Sequence, residues 1–255
     1  MRMRTLRPAA VALAAALALG ACASNDGLAP GRNPAQAAIV NVQLSVAYLK
    51  LGKLAIARHF IERALREDPR NATVQATAGV VYERLGEDAL ARRAYREAVR
   101  LGPKDPDVMN TYAGYLCRTH RNVEGEKVFR QVIANPLYQT PEVAMVNAGV
   151  CLESAGDDAG AEAYFKRAMV VHPNLPEALL EMADLAMRRK DPAAAVDLVR
   201  RDLAVNAPSA PILWIGVRAE RALGHQNAAD DYAQQLEKHF PASTEARMLQ
   251  AGIYK

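Results

Sequence analysis

Four prolines constrain this chain more than any other feature. Pro69 to Pro103 is one period of about 34 residues, and Pro173 to Pro241 is two such periods. The stretch from Pro103 to Pro173 makes two periods plus two residues. A fixed period of this length marks an array in which one supersecondary unit recurs. Proline lacks the backbone N–H and clashes with the preceding turn, so it cannot continue a helix. Placed on a period, it stops each unit and turns the chain into the next. The 255 residues are 51% hydrophobic but only 5% aromatic. That balance suits closely packed Ala- and Leu-rich helices better than a β-sandwich.

Other pattern positions recur with the prolines. The first unit has Leu44, Tyr48, Gly52, Ala57, Ile61, Ala64 and Pro69, and the second has Gly79, Tyr82, Gly86, Ala91, Tyr95, Ala98 and Pro103. Gly149, Leu152, Gly156, Ala161, Phe165, Ala168 and Pro173 follow suit in the fourth. Small residues let two helices approach, large ones fill the space between them, and Gly52, Gly86, Gly156 and Gly224 reverse the chain. An irregular bundle with chance prolines would not match at so many positions. The pattern is that of the tetratricopeptide repeat (TPR), a helix–turn–helix that recurs at this period. The expected fold is all-α: a right-handed superhelical solenoid of about six TPR units, 38–71, 72–105, 106–141, 142–175, 176–209 and 210–243, closed by a capping helix over 244–255. The fifth unit departs most, with Lys190 at the turn, Asp202 where Ala is usual and its closing proline displaced to Pro208. The third has His120 at its turn and two extra residues near Asn135–Pro141.

Residues 1–21 read as a secretory signal peptide: a basic start, a short apolar run, then small residues. The run ends in Leu19-Gly20-Ala21-Cys22, which resembles the bacterial lipobox, so Cys22 is the expected site of lipidation. An ordinary export signal with a chance cysteine is the alternative. The lipobox resemblance carries an address: Asp after the cysteine usually retains a lipoprotein in the inner membrane, and here that residue is Ala23. The expected location is therefore the periplasmic face of the outer membrane. Residues 22–37 follow as a flexible tether rich in Gly, Pro and small polar residues. Losing Arg2, Arg4 and Arg7 with the signal leaves 29 basic residues against 28 acidic ones. Such a balance gives no electrostatic case for nucleic acid.

Stacked units share one elongated core, and their first helices line a concave surface. On the repeat pattern, Ile39, Val42, Val46, Leu49 and Lys50 of the first unit point into that surface, with Val80 from the second. Glu177, Asp184, Arg188, Arg218 and Arg221 line its far end. The apolar N-terminal part is expected to dock an apolar strand or helix of a partner protein. The tether or a neighbouring copy could cover it instead. Cys117 and Cys151 lie one nominal repeat apart on neighbouring first helices. They are candidates for a disulfide in an oxidising compartment, or for two buried thiols. No HExxH, GxSxG, phosphate-binding loop or CxxC occurs. The five histidines are scattered among units with no metal-ligand spacing. Neither an enzyme, a metal, a cofactor nor a small-molecule substrate is expected.

Tyr115-Leu-Cys117-Arg118, the Asn135-Pro136-Leu137-Tyr138 insertion and Asn147-Ala-Gly149-Val-Cys151 are not demanded by a generic TPR. With the signal, the lipobox and about six units, they resemble the type IV pilus biogenesis lipoproteins of the PilF/PilW group. That resemblance implies an outer-membrane pilotin, whose partner is the pilus secretin subunit and whose N-terminal repeats bind it. The alternative is a TPR scaffold lipoprotein of another envelope-assembly machine.

Overall fold

The computed structural model describes residues 33–254. Cys22, the leader and most of the tether lie outside the described residues. The rest is entirely helical: α1 (Pro34–Lys50) and α2 (Leu54–Glu67), α3 (Ala72–Arg84) and α4 (Asp88–Leu101), α5 (Pro106–Arg118) and α6 (Asn122–Ile133), α7 (Pro141–Ser154) and α8 (Asp158–Val171), α9 (Pro176–Arg188) and α10 (Pro192–Leu203), α11 (Ala210–Ala222) and α12 (Gln226–His239), then α13 (Thr244–Gln250). Each pair packs antiparallel, each second helix touches the next unit, and each first helix touches the first helix of the next unit. This is the right-handed TPR solenoid.

Within each of the first five pairs one side chain from the second helix fills the gap. Ile61, Tyr95, Phe129, Phe165 and Val199 occupy the equivalent place and are all fully buried. They fit because the facing first helix carries a small residue. A Cβ built on Gly149 would lie 2.3 Å from the Phe165 ring. Ala57, Ala91, Ala161, Ala195 and Ala229 keep the second helix close along the same seam, each 0–1% exposed.

The turns inside the units need a left-handed residue. Gly52, Gly86, Gly156 and Gly224 adopt φ of 68°, 73°, 82° and 80°, and His120 and Lys190 are driven to 60° and 61°. A Cβ in that region costs roughly 1–2 kcal/mol. The two non-glycine turns therefore follow the array and not their own preference. Two unit starts are capped in the ordinary way: Asn71 and Asp105 side chains accept backbone N–H groups of the first turns of α3 and α5.

Two boundaries differ from expectation: the capping helix α13, expected over 244–255, ends at Gln250, and the tether ends early. Helix α1 begins at Pro34, inside the span 22–37 assigned to the tether. The Asn33 side chain accepts from Ala35 N–H at 3.0 Å and Pro34 takes the first helical position, where its missing N–H costs nothing. The third unit's extra residues form the loop between α6 and α7, pinned by Tyr138, which is only 7% exposed.

A disulfide joins Cys117 on α5 to Cys151 on α7, with Cα atoms 5.4 Å apart. It also explains a lone exception in the seam. Gly125 on α6 stands where the other units have alanine, and a Cβ there would lie 2.3 Å from Cys117 Sγ. The bridge closes a loop one repeat long, so the double substitution Cys117→Ser/Cys151→Ser is expected to lower unfolding free energy by about 3–4 kcal/mol on the loop-entropy argument. Urea unfolding of both forms checks this, and equal midpoints would contradict it.

Candidate functional site: the concave face and the open end

The first helices α1, α3, α5, α7, α9 and α11 line the concave face. The residues expected to form its apolar patch divide into two kinds. Ile39 is 44% exposed. Val42 and Val80 are half-buried and pack against the first core cluster, and Val46 is half-buried. Leu49 is a correction: at 8% exposure it belongs to the core, with Ala38, Ile61 and Val81. The physical reason is phase. The buried face of α1 runs through Ala38, Asn41, Ser45 and Leu49, a spacing of three and four residues that turns Leu49 toward α2. Asn41 and Ser45 stay on that face by bonding, Asn41 to the Glu67 carboxylate at 2.6 Å and Ser45 to the Ala57 carbonyl at 2.9 Å.

The openly exposed apolar stripe is a different one: Val40 and Leu44 of α1 and its C-cap residue Leu51, at 42%, 37% and 67%. Their counterparts one period on include Val74 and Ala78, at 1% and 0%. Those are covered by the preceding unit's second helix, whereas no helix precedes α1 among the described residues. Aligning the units on their period already carries this signal. Apolar residues at inter-unit positions need a neighbour, and those of the first unit have none before them among the described residues.

Across the middle of the concave face the contacts are polar. Glu83 of α3 receives Arg118 of α5 through Nε at 2.6 Å and Nη2 at 2.9 Å, and the Tyr95 hydroxyl donates to it at 2.7 Å. Burial opposes charge on Glu83, but the bonds from Arg118 and Tyr95 outweigh it and hold the carboxyl below its usual range. Burial beside that carboxylate pushes the Tyr95 hydroxyl well above the ordinary tyrosine range. Next to this clasp lies a pocket of about 320 Å³ floored by the disulfide and lined by Asn110, Gly114, His120, Asn147 and Val150. Asn147 Nδ2 donates to Asn110 Oδ1 at 3.2 Å across it.

The far end is charged, and it is internally neutralised. Arg188 pairs with Glu153 and with Asp184, the latter at 2.5 Å, and Arg218 lies 3.7 Å from Asp184. Arg221 sits 3.9 Å above the Tyr254 ring, which stacks on Trp214. The tail after α13 thereby covers the last turn of the groove. Two buried acids differ in how far the sequence announces them. Asp202 shows as a departure from the repeat, and it is held by Asn206 Nδ2 at 2.8 Å, with burial raising its pKa. Glu220 gives no such sign; it is 1% exposed and bonded by Arg200 at 2.9 Å and His225 Nδ1 at 2.8 Å. Both of its partners lie outside the repeat consensus, so no pattern position reveals it. Among the described residues no group of His, Cys, Asp and Glu is arranged to hold a metal ion, and no helix is long and apolar enough to cross a membrane.

Residues 42–106 match the tetratricopeptide repeat family model. The chain is 29% identical over 252 residues to type IV pilus assembly protein PilF of Pseudomonas aeruginosa, covering 97% of this chain and 99% of that one. Among solved structures, PilW, described as a widely conserved type IV pilus biogenesis factor, superposes with a TM-score of 0.67 at 30% identity, over 84% of this chain and 99% of PilW. The Pseudomonas aeruginosa PilF structure gives 0.62 at 26% identity, over 87% of this chain and 100% of that one.

The burial pattern sets a test of the two α1 faces. Leu49→Ala is expected to cost about 2–4 kcal/mol, while Leu44→Glu changes stability by no more than about 0.5 kcal/mol. Thermal melts of the two variants measure this. A severe loss from Leu44→Glu would show that the stripe is covered within the folded chain.

Proposed function

Because this chain belongs to the PilF/PilW family of TPR proteins of type IV pilus assembly, we propose that it is an outer-membrane lipoprotein pilotin. In this reading Cys22 carries the lipid, and the solenoid binds the pilus secretin subunit and promotes its arrival and multimer assembly at the outer membrane. It acts by binding alone. The observation that carries the reading is the end-to-end match: PilF aligns over 97% of this chain and 99% of its own length, so the likeness extends well past the shared repeat.

The mechanism follows from what a solenoid offers. Each unit is braced by its neighbours, so the surface is formed before the partner arrives and little ordering entropy is lost on binding. Ile39, Val42, Val46 and Val80 remain the candidate secretin contacts on the concave side of the first two units. Val40, Leu44 and Leu51 add an apolar edge beside them. The lipid supplies location, since attachment to the leaflet raises the local concentration of the bound subunit there.

Purification of a tagged chain with intact Cys22 from outer membranes tests this. The secretin subunit is expected as the dominant, saturable partner by mass spectrometry. Recovery of other envelope-assembly proteins without secretin would overturn the pilus role and favour a scaffold of another machine.

A further inference from the structure

The surface where the second and third units meet carries charge that the fold does not use. Helix α4 reads Arg92-Arg93-Ala94-Tyr95-Arg96. Arg92 and Arg96 lie one turn apart, where like charges repel, and both are exposed. Neither makes an ion pair among the described residues, and their one mutual bond runs from Arg96 Nε to the Arg92 carbonyl at 3.4 Å. This contrasts with neighbouring arginines. Arg100 pairs with Glu97 at 2.5 Å, Arg58 with Glu62 at 2.7 Å and Glu87 at 2.6 Å, and Arg118 with Glu83 at 2.6 Å.

Arg92 and Arg96 line a pocket of about 370 Å³ with Tyr112, Tyr115, Thr119 and Arg121. Arg121 is already paired with Glu124, so that pair is locally neutral and two positive charges remain uncompensated. The Thr119 hydroxyl is within bonding distance of the Tyr115 and Leu116 carbonyls, at 3.0 Å each, and so is committed to the backbone. The tyrosines form a wall: Tyr115 stacks on the buried Tyr95 at 4.3 Å and leans on Tyr112 at 6.2 Å. The site therefore offers two guanidinium forks at its rim and aromatic carbon behind them.

We propose that this pocket binds a phosphate group, and that its source is the phosphodiester headgroup of an anionic phospholipid. A planar carboxylate is matched by one guanidinium fork, whereas a tetrahedral phosphodiester splays its two non-bridging oxygens out of the plane of its ester oxygens, so two guanidiniums can approach it from different sides. The tyrosine wall suits the glycerol carbons flanking a phosphodiester. The choice of lipid over free phosphate rests on the lipid-anchor reading. Cys22 and Asn33 are eleven positions apart in the chain, a span of at most about 40 Å. A solenoid on so short a lead is held against the leaflet to which the lipid is attached. Headgroup binding would orient it with the junction of the second and third units toward the membrane.

The test is calorimetric titration of the full chain, held in a neutral detergent at low salt, with four water-soluble probes: glycerophosphoglycerol, inorganic phosphate, zwitterionic glycerophosphocholine and acetate. Saturable binding of glycerophosphoglycerol, at least tenfold weaker in Arg92→Glu/Arg96→Glu, is the expected result, with little or no response to glycerophosphocholine or acetate. Both substituted side chains are exposed, so an unchanged melting curve is expected of the variant. Binding of inorganic phosphate alone would overturn the lipid source. Acetate binding as well as the phosphates would overturn the phosphate class. No saturable binding, or binding indifferent to the two substitutions, would overturn the site. The readout needs neither the secretin nor the anchor, so its failure is distinct from failure of the assembly role.

Discussion

The structure depends on how closely two helices can approach. In each of the first five units a single side chain from the second helix presses into the first, and small residues around it set the distance. Under Tyr95 and Phe165 the facing position shrinks to glycine, Gly79 and Gly149, whereas Phe129 packs in one cluster with Ala113. Where a disulfide sulfur takes up the space, the second helix gives way instead, and Gly125 replaces the alanine found in the other units. A Cβ at either place would push the helices apart, and the displacement would pass to every unit stacked beyond. The left-handed turns at His120 and Lys190 show the same priority. The local cost of a strained φ is accepted because the pair must close at a fixed distance.

Stacking also decides where function can sit. Interior units spend their apolar inter-unit faces on each other, and their concave faces on polar clasps such as Glu83–Arg118–Tyr95. The first unit has no such neighbour among the described residues, and its stripe of Val40, Leu44 and Leu51 stays open. The last unit is closed by α13 and by Tyr254 against Trp214 and Arg221. The array therefore has one sealed end and one apolar end. That asymmetry agrees with a partner engaged at the N-terminal repeats, next to the proposed lipid, and it leaves the far groove internally neutralised.

Much of this is legible without coordinates. The proline period, the small residues of the seam and the turn glycines repeat on one register, and each has a single physical reading. The same register suggests the pairing of Cys117 with Cys151. What stays hidden depends on residues that meet from different units without a pattern. Leu49 reads as groove because the repeat position allows it, but α1 turns it into the core. Glu220 is buried by virtue of Arg200 and His225, neither of which a repeat position requires. Arg92 and Arg96 read as one more solvated helix face until the Tyr112–Tyr115 wall is seen beside them.

The most direct test of the central claim is the secretin multimer content of outer-membrane fractions from cells lacking this chain, after complementation with wild type or with Cys22→Ala. The account predicts that wild type restores multimers in the outer membrane. With Cys22→Ala, the secretin remains monomeric or multimerises elsewhere. Full outer-membrane multimers in cells without the chain would contradict it.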